Sequence, residues 1–147
     1  MIEIIIASAI ISLALASLGF LGNFAISVQT HLKQNQIATN LAVEAMEAAR
    51  AVKEESWTNF SALALDTPYH PQKGGTPLKW SLASGAEIIN GLSRQVVFSQ
   101  VFRDGNDDIA LSGTPDSGTR KITATVSWSE KGNNYEVKLE SYLTNWK

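Results

Sequence analysis

Three oxygen-bearing side chains in the C-terminal half of the chain have the spacing of a metal-binding loop. Asp104, Asn106 and Asp108 alternate with other residues, as do the first three ligands of oxygen-coordinated calcium loops. However, Ile109 stands where an EF-hand loop requires glycine, and no Glu follows at the distance of the bidentate ligand. Two interpretations therefore stay open: a calcium site, or a turn in which Asp and Asn side chains bond to their own backbone.

The other groups that could do chemistry lack a supporting arrangement. Glu54 and Glu55 are adjacent in a predicted helix, where neighbouring side chains point about 100° apart and share no site. His31 and His70 have no partner at metal-ligand spacing, and we interpret both as surface residues. The Gly-Gly pair in residues 66–77 lacks the Lys-Ser/Thr of a phosphate-binding loop, and the chain contains no cysteine. We therefore predict that the protein is not an enzyme and has no cofactor beyond the candidate calcium.

One acid, Glu3, lies at the start of a segment that is otherwise apolar or small and neutral. Between Glu3 and Lys33 the sequence contains no Asp, Glu, Lys or Arg. A carboxylate at the centre of a membrane costs on the order of 2.5–3.5 kcal/mol. In a bundle of identical helices, the carboxylate could lie against the α-amino group of a neighbouring chain, which is positive at neutral pH. Such a pair would offset part of the desolvation cost.

The segment after Glu3 is long enough to cross a bilayer. Residues 4–28 are predominantly apolar, and about 20 such residues span the hydrocarbon core. A signal peptide would begin with basic residues and contain only about 7–15 apolar ones. We therefore predict an apolar helix over residues 1–28 that either spans a membrane or packs in a bundle. Its small residues would let helix backbones approach closely; they are Ala7, Ala9, Ala14, Ala16 and Gly19.

The first residues, "MIEIIIASAII", resemble the processed N-terminal segment of type IV pilins and pseudopilins. In that family a prepilin peptidase removes a leader, the new N-terminus is methylated, and a Glu lies just inside an apolar helix. The resemblance implies a helical filament with these helices in its core, where Glu3 meets the N-terminus of the adjacent subunit, at or close to Met1. In the family the Glu usually lies two residues further from the cleavage site. We therefore expect two residues before Met1, with unusual processing as the alternative.

A weak point in this helix is expected at Gly19, Gly22 and Asn23, which fall within roughly one helical turn. Glycine costs roughly 1 kcal/mol relative to alanine in a helix interior. Assembled pilins often lose helix locally near this position, commonly around a proline, and this chain has no proline before Pro68. We predict that residues 19–23 supply the break in the filament. The alternative is that the glycines only allow close packing.

Residues 29–57 are predicted to continue the same helix with one apolar face. Neither proline nor glycine interrupts the chain from Asn23 to Trp57. Apolar residues recur every three or four positions, the period of a helical face: Ile37, Leu41, Ala45, Ala48 and Val52. We expect this face to pack against the chain's own C-terminal domain.

Residues 58–147 are predicted to form that domain, a small antiparallel sheet. Strict alternation over residues 122–128 and 135–143 predicts a hairpin around "SEKGNN". A third strand is expected over residues 94–102 and a weaker fourth over residues 78–82.

The intervening segments, Asp66–Pro77 and Asp104–Arg120, are rich in turn residues and are predicted to be loops. The expected fold is thus α+β and pilin-like: a long N-terminal helix packs by its second half on a sheet of three or four antiparallel strands. Some pseudopilins carry a calcium in this part of their sheet, so the resemblance favours the calcium interpretation of residues 104–108 a little.

The expected function is that of a structural subunit of a type IV pilus-like filament at the cell surface. The subunit would be held in the cytoplasmic membrane by its single helix before the pilus assembly machinery extracts it. Such filaments support adhesion, motility or DNA uptake. A minor pilin or a type II secretion pseudopilin is the first alternative, and a membrane-tethered binding or sensor domain is the second. Because the formal net charge is -2, nucleic acid is not predicted as the main partner.

Overall fold

A computed structural model describes residues 1–146 and has an α+β fold, as predicted: a long N-terminal helix and a separate antiparallel sheet. Residues 1–37 and the residues from Ala38 onward form two compact units. In chain order the described residues form α1 (Ile2–Glu55), α2 (Trp57–Ser61), β1 (Pro68–Gly74), β2 (Lys79–Ser84), β3 (Glu87–Ile89), β4 (Leu92–Arg103), β5 (Ile109–Ala110), β6 (Thr114–Glu130) and β7 (Asn133–Thr144).

The long helix ends at Glu55, two residues before the predicted end at Trp57. Ser56 has an extended backbone conformation and caps the short helix α2, because its hydroxyl accepts a hydrogen bond from the Asn59 N–H at 3.3 Å. Serine is among the preferred residues at this capping position. The chain therefore leaves α1 and begins α2 within a single residue.

The sheet has the strand order β2-β1-β4-β6-β7, and the short strands β3 and β5 also pair with β4. All pairs are antiparallel. The predicted hairpin is confirmed as β6 and β7, in which Trp128 lies opposite Tyr135. Its turn residues Lys131 and Gly132 have φ of 51° and 80°, as a two-residue type I′ turn requires.

The prediction of a loop over Asp66–Pro77 is wrong for its central part, which forms β1. Proline lacks an N–H and is tolerated at the first residue of a strand or at an edge. Pro68 is the first residue of β1, and β1 pairs with β4 only at Pro68 and Tyr69. From that point to Gly74 it pairs with β2 alone, so Pro71 lies where one side of the strand has no partner in the sheet.

The predicted loop over Asp104–Arg120 is also shorter than expected, since it contains β5 and the first part of β6. The described sheet thus has seven strands, not three or four. The pairing of β4 with β6 is irregular between Gln100 and Val101. There the Gln100 side-chain amide donates to the backbone carbonyls of Val101 and Asp116, both at 3.0 Å, which replaces backbone bonds lost at the irregularity.

The core of the second unit lies between small residues of the helix and large residues of the sheet. Ala45 and Ala49 of α1 belong to one buried cluster with Phe60 of α2 and with side chains of the three strands β1, β4 and β6. The Phe60 and Phe98 rings meet edge to face, with centroids 5.2 Å apart. Alanine on the helix brings the backbone close to the sheet, so the large aromatic and branched side chains of the strands fill the space. The strand members are Tyr69, Val96, Phe98, Ile122 and Ala124.

Candidate functional site

The unit formed by residues 1–37 is a helix whose apolar side chains are exposed. Helix α1, to which this unit belongs, is by length and composition the one helix among residues 1–146 that could cross a membrane. None of its most apolar window is buried within the chain. The large apolar side chains of this unit with more than half of their surface exposed are Met1, Ile2, Ile4, Ile5, Ile6, Ile10, Ile11, Leu13, Leu15, Leu18, Phe20, Leu21, Phe24, Ile26 and Leu32. This surface matches an apolar environment and not water.

Hydroxyl groups in this helix are bonded to the helix itself. Ser8 donates to the carbonyl of Ile5 at 2.9 Å, and Ser12 donates to the carbonyl of Ser8 at 2.8 Å. Ser17 donates to the carbonyl of Leu13 at 2.9 Å. An unpaired hydroxyl in an apolar medium would cost roughly 2–7 kcal/mol. These bonds remove that cost, so the serines do not prevent contact with lipid or with another apolar helix.

Glu3 lies in the first turn of α1, directly after Met1 and Ile2. Its side chain and that of Met1 are exposed. The unpaired N–H groups of the first helical turn carry partial positive charge, which stabilises a carboxylate by about 0.3–1 kcal/mol. This local effect is smaller than the cost of placing the carboxylate in hydrocarbon. The assembly roles of Glu3 and Met1 concern a second chain and stay predictions.

Gly19, Gly22 and Asn23 lie inside a continuous helix in the single chain. A Cβ atom added at either glycine would meet no other atom within 4 Å. The glycines therefore leave open space on the helix surface, which would allow the backbone of a partner to approach closely. The predicted helix break applies to an assembled filament and stays a prediction.

The residues of the candidate calcium loop form a turn around one carboxylate oxygen. Asp104 Oδ1 accepts hydrogen bonds from the backbone N–H groups of Asn106 at 2.8 Å and Asp108 at 3.0 Å. Asp107, at φ of 67°, lies in the left-handed region that such turns use. This geometry is that of the alternative named from the sequence, a turn that bonds to its own backbone.

A cation from the protein already lies beside this turn. Arg103 donates from Nε to Asp116 Oδ2 at 2.8 Å and from Nη1 to the carbonyl of Asp107 at 2.7 Å. Hydrogen bonds from the Thr119 hydroxyl and from Arg103 lower the pKa of Asp116 below its ordinary value. The same ion pair raises the pKa of Arg103. Within residues 1–146 no three His, Cys, Asp or Glu side chains form a group that could hold a metal ion.

The histidines and the glutamate pair remain apart in the structure. His70 is partly buried, and its Nδ1 lies 3.0 Å from the carbonyl oxygen of Gly85, so this residue has a structural contact and not only a surface position. His31 is also partly buried, in the other unit. Glu55 forms an ion pair with Lys79, and Glu54 is exposed. None of these contacts assembles an acid–base pair.

The sequence interpretation missed Arg94, which is buried between the second half of α1 and the sheet. Its side chain is 5% exposed. Nε donates to Glu87 Oε1 at 2.8 Å, and Nη1 lies 3.4 Å from both the carbonyl oxygen of Leu41 and Glu44 Oε2. The sequence feature that could have identified it is its spacing: Arg94 lies two residues before Val96 and four before Phe98, so all three share one face of β4, and Val96 and Phe98 are buried. Its bonds join β4 to β3 and to the helix.

Comparison of the chain with models of known protein families, with curated proteins and with solved structures gave no match. The features that define this protein are therefore those of its own structure. They are an exposed apolar helix, long enough to cross a membrane, and an α+β unit with its own buried core.

Proposed function

We propose that the protein is a structural subunit of a type IV pilus-like filament and is held in the cytoplasmic membrane through its N-terminal helix before assembly. The observation that carries the proposal is the exposed apolar surface of residues 1–37, in which Glu3 is the one charged side chain before Lys33. A helix that only anchors the chain gains nothing from an acid. A helix packed among copies can use the acid to fix its position along its neighbours.

The energetics of this exchange divide between lipid and protein. Burying the apolar helix surface in water is worth about 25 cal/mol per Å², but lipid already supplies most of that stabilisation. Transfer to a helical bundle therefore depends on close packing at small residues and on the pairing of Glu3 with the N-terminus of a neighbour. The assembly machinery supplies the work of extraction, and the unit from Ala38 onward forms the outer surface of the filament.

Filaments sheared from cells test the proposal when they are examined by electron microscopy and by mass spectrometry of the N-terminus of their subunit. We expect filaments made largely of this chain, with a methylated N-terminus. Glu3→Ala is expected to reduce filament yield at least about tenfold, since loss of one desolvated ion pair amounts to about 1.4 kcal/mol or more. Glu54→Ala is the matched control, because it removes the same charge from an exposed position on the same helix.

Two results would reject the proposal. Filament yield that is equal for Glu3→Ala and Glu54→Ala would show that the acid has no part in assembly. Recovery of the chain only in the membrane fraction, with no filament that contains it, would instead favour the membrane-tethered binding or sensor domain.

A further inference from the structure

The last strand, β7, lies at the edge of the sheet and has a free side along its whole length. Every residue from Asn133 to Thr144 pairs with β6, and no other described strand lies beside β7. An unpaired edge presents a row of backbone N–H and C=O groups that can bind another strand. At twelve residues, β7 and β4 are longer than all strands except β6, and β4 is paired on both sides.

The turn of the hairpin determines which residues face the free edge. In a two-residue hairpin the residues that flank the turn, here Glu130 and Asn133, form a hydrogen-bonded pair. Hydrogen-bonded and non-hydrogen-bonded positions then alternate along the strand. The N–H and C=O groups of Glu136, Lys138 and Glu140 therefore point away from β6, toward the free edge.

Charges on β7 also alternate in a way that selects one pairing. Glu136, Lys138 and Glu140 lie on the same exposed face. Lys138 and Glu140 already form an ion pair at 2.9 Å, and Glu140 also binds Lys121 at 2.9 Å. Within residues 1–146, Glu136 forms no ion pair. A partner strand that places a lysine opposite Glu136 would supply the missing charge.

We propose that β7 binds β7 of a second copy of this chain, antiparallel and across a two-fold axis at Val137. In this register Glu136 of each strand lies opposite Lys138 of the other, and Val137 lies opposite itself. Tyr135 then faces Leu139 of the partner, which adds two apolar cross-strand contacts. The paired segment runs from Asn133 to Ser141.

The neighbouring registers are less favourable for identifiable reasons. An axis at Lys138 places the two lysines opposite each other and Glu136 opposite Glu140, so that like charges meet. An axis at Leu139 pairs Lys138 with Glu140 and places Glu136 opposite Tyr142, so that Glu136 still has no charged partner. An axis between two residues would correspond to a one-residue shift of one strand along the other, which would place the apolar face of one strand beside the charged face of its partner. The axis at Val137 alone gives Glu136 a partner.

Because the natural chain has no cysteine, single cysteine variants of the full chain can measure this register. In the proposed register the two copies of Val137 form a non-hydrogen-bonded pair, because their N–H and C=O groups point toward β6. The Cα atoms of such a pair are about 4.5 Å apart, within the range of about 4.4–6.8 Å that a disulfide requires. Val137→Cys is expected to give a disulfide-linked dimer on mild oxidation in detergent or in isolated membranes. Leu139→Cys is the matched control on the same strand and face. Its two copies would lie about 13 Å apart, so it should give little dimer.

Charge exchange provides a second, independent measurement in the Val137→Cys background. Lys138→Glu turns two attractive pairs into two repulsive ones and should lower the dimer yield at least about fivefold. Glu136→Lys combined with Lys138→Glu restores opposite charges and should restore the yield. Unchanged tryptophan fluorescence would confirm that each variant is folded.

Three results would overturn the proposal. They are equal dimer yields for Val137→Cys and Leu139→Cys, a higher yield for Leu139→Cys, or a charge-exchanged variant that stays as low as Lys138→Glu. The inference concerns the sheet alone, so it does not depend on the proposed filament. The loss of filaments with Glu3→Ala and the loss of the disulfide dimer are separate outcomes.

Discussion

Replacement of Arg94 by methionine is expected to destabilise the α+β unit by about 2–3 kcal/mol. The substitution keeps much of the side-chain length but removes the bonds to Glu87 and the contacts with Leu41 and Glu44. Hydrogen bonds to charged groups are worth about 1.5–3 kcal/mol each, and breaking a buried pair costs about 3–5 kcal/mol. Glu87 and Glu44 keep 24% and 44% of their side chains exposed. Water can therefore solvate both carboxylates after the change, so we expect a loss of about 2–3 kcal/mol and not the full cost of breaking a buried pair.

Tryptophan fluorescence during urea unfolding in mild detergent is the suitable assay. All four tryptophans lie at or after Trp57, so the signal reports the unit from Ala38 onward and not the apolar helix. The matched control is Arg50→Met, because Arg50 pairs with Glu47 while 46% and 57% of their side chains are exposed. Exposed pairs contribute about 0–1 kcal/mol, so we expect a change of less than about 0.5 kcal/mol.

A double variant tests the reason for the loss. In Arg94→Met combined with Glu87→Gln, the carboxylate that lost its partner is replaced by a neutral amide, so part of the stability should return. If Arg94→Met unfolds at the same urea concentration as the natural chain, the buried arginine contributes no net stability and the reasoning fails. If the double variant is no more stable than Arg94→Met, the loss does not come from the unpaired carboxylate.

Three further substitutions test other parts of the same unit by the same assay. Gly113→Ala should cost at least about 2 kcal/mol, because φ at Gly113 is 144° and a Cβ would clash with the carbonyl oxygen of Arg103; Gly74→Ala, with open space, should cost little, and equal effects would contradict this account. Phe98→Ala should cost about 3–5 kcal/mol through the cavity it leaves, and a loss below about 1 kcal/mol would contradict the close packing of the core. The pKa of Asp116 is lower in the folded chain than in the unfolded chain, where it is near 4. The charged carboxylate therefore contributes stability above about pH 4, and this contribution is lost as pH falls through the folded pKa. Asp116→Asn should lower stability at pH 7 more than at pH 3, and an equal loss at both would contradict the assignment.

The features that could be predicted from the sequence are those with a repeating pattern of side chains. The apolar helix follows from a long run without charge, and the β6–β7 hairpin follows from strict alternation over Ile122–Trp128. In both cases the pattern extends over enough residues to distinguish one period from another. The buried set of β6, from Ile122 to Trp128, is the predicted one.

Strand β1 and the start of β6 could not be predicted in the same way. Pro68, Pro71 and the Gly-Gly pair are typical of loops, and only the pairing pattern shows why β1 tolerates them. The first residues of β6, from Thr114, are mostly exposed and show no apolar alternation. Their pairing with β4 is made by backbone groups, which all residues except proline share and which therefore leave little pattern in the sequence.

Arg94 illustrates a different limit. A charged residue in a strand is usually expected on the exposed face, because an isolated buried charge is costly. Its helix partners Leu41 and Glu44 are about fifty residues away in the sequence, so local patterns cannot identify them, and Glu87 becomes its neighbour only through the pairing of β3 with β4. The alternation with Val96 and Phe98 was the only sequence feature that placed it inside.

The apolar helix makes a final prediction in which membrane insertion and filament assembly respond in opposite directions. The hydroxyls of Ser8, Ser12 and Ser17 are bonded within the helix, and its backbone is bonded in the same way. The hydroxyl and backbone groups from residue 4 to residue 22 therefore need no hydrogen-bond partner from their surroundings, and the apolar side chains can contact lipid. Lipid offers no cation deep in the hydrocarbon for the carboxylate of Glu3. In the proposed filament, the N-terminus of a neighbouring chain would offer one.

Glu3→Gln should thus make membrane insertion easier, by at most about 2.5–3.5 kcal/mol, and should make assembly harder. Membrane extraction with carbonate measures the first effect, and the yield of sheared filaments measures the second. Glu54→Gln is the control for both, since that side chain is exposed in the other unit. A fall in membrane retention together with filament yield would indicate a misfolded or unstable chain. Normal filament yield with Glu3→Gln would show that the acid is not needed for its charge, and the pairing argument would then be wrong.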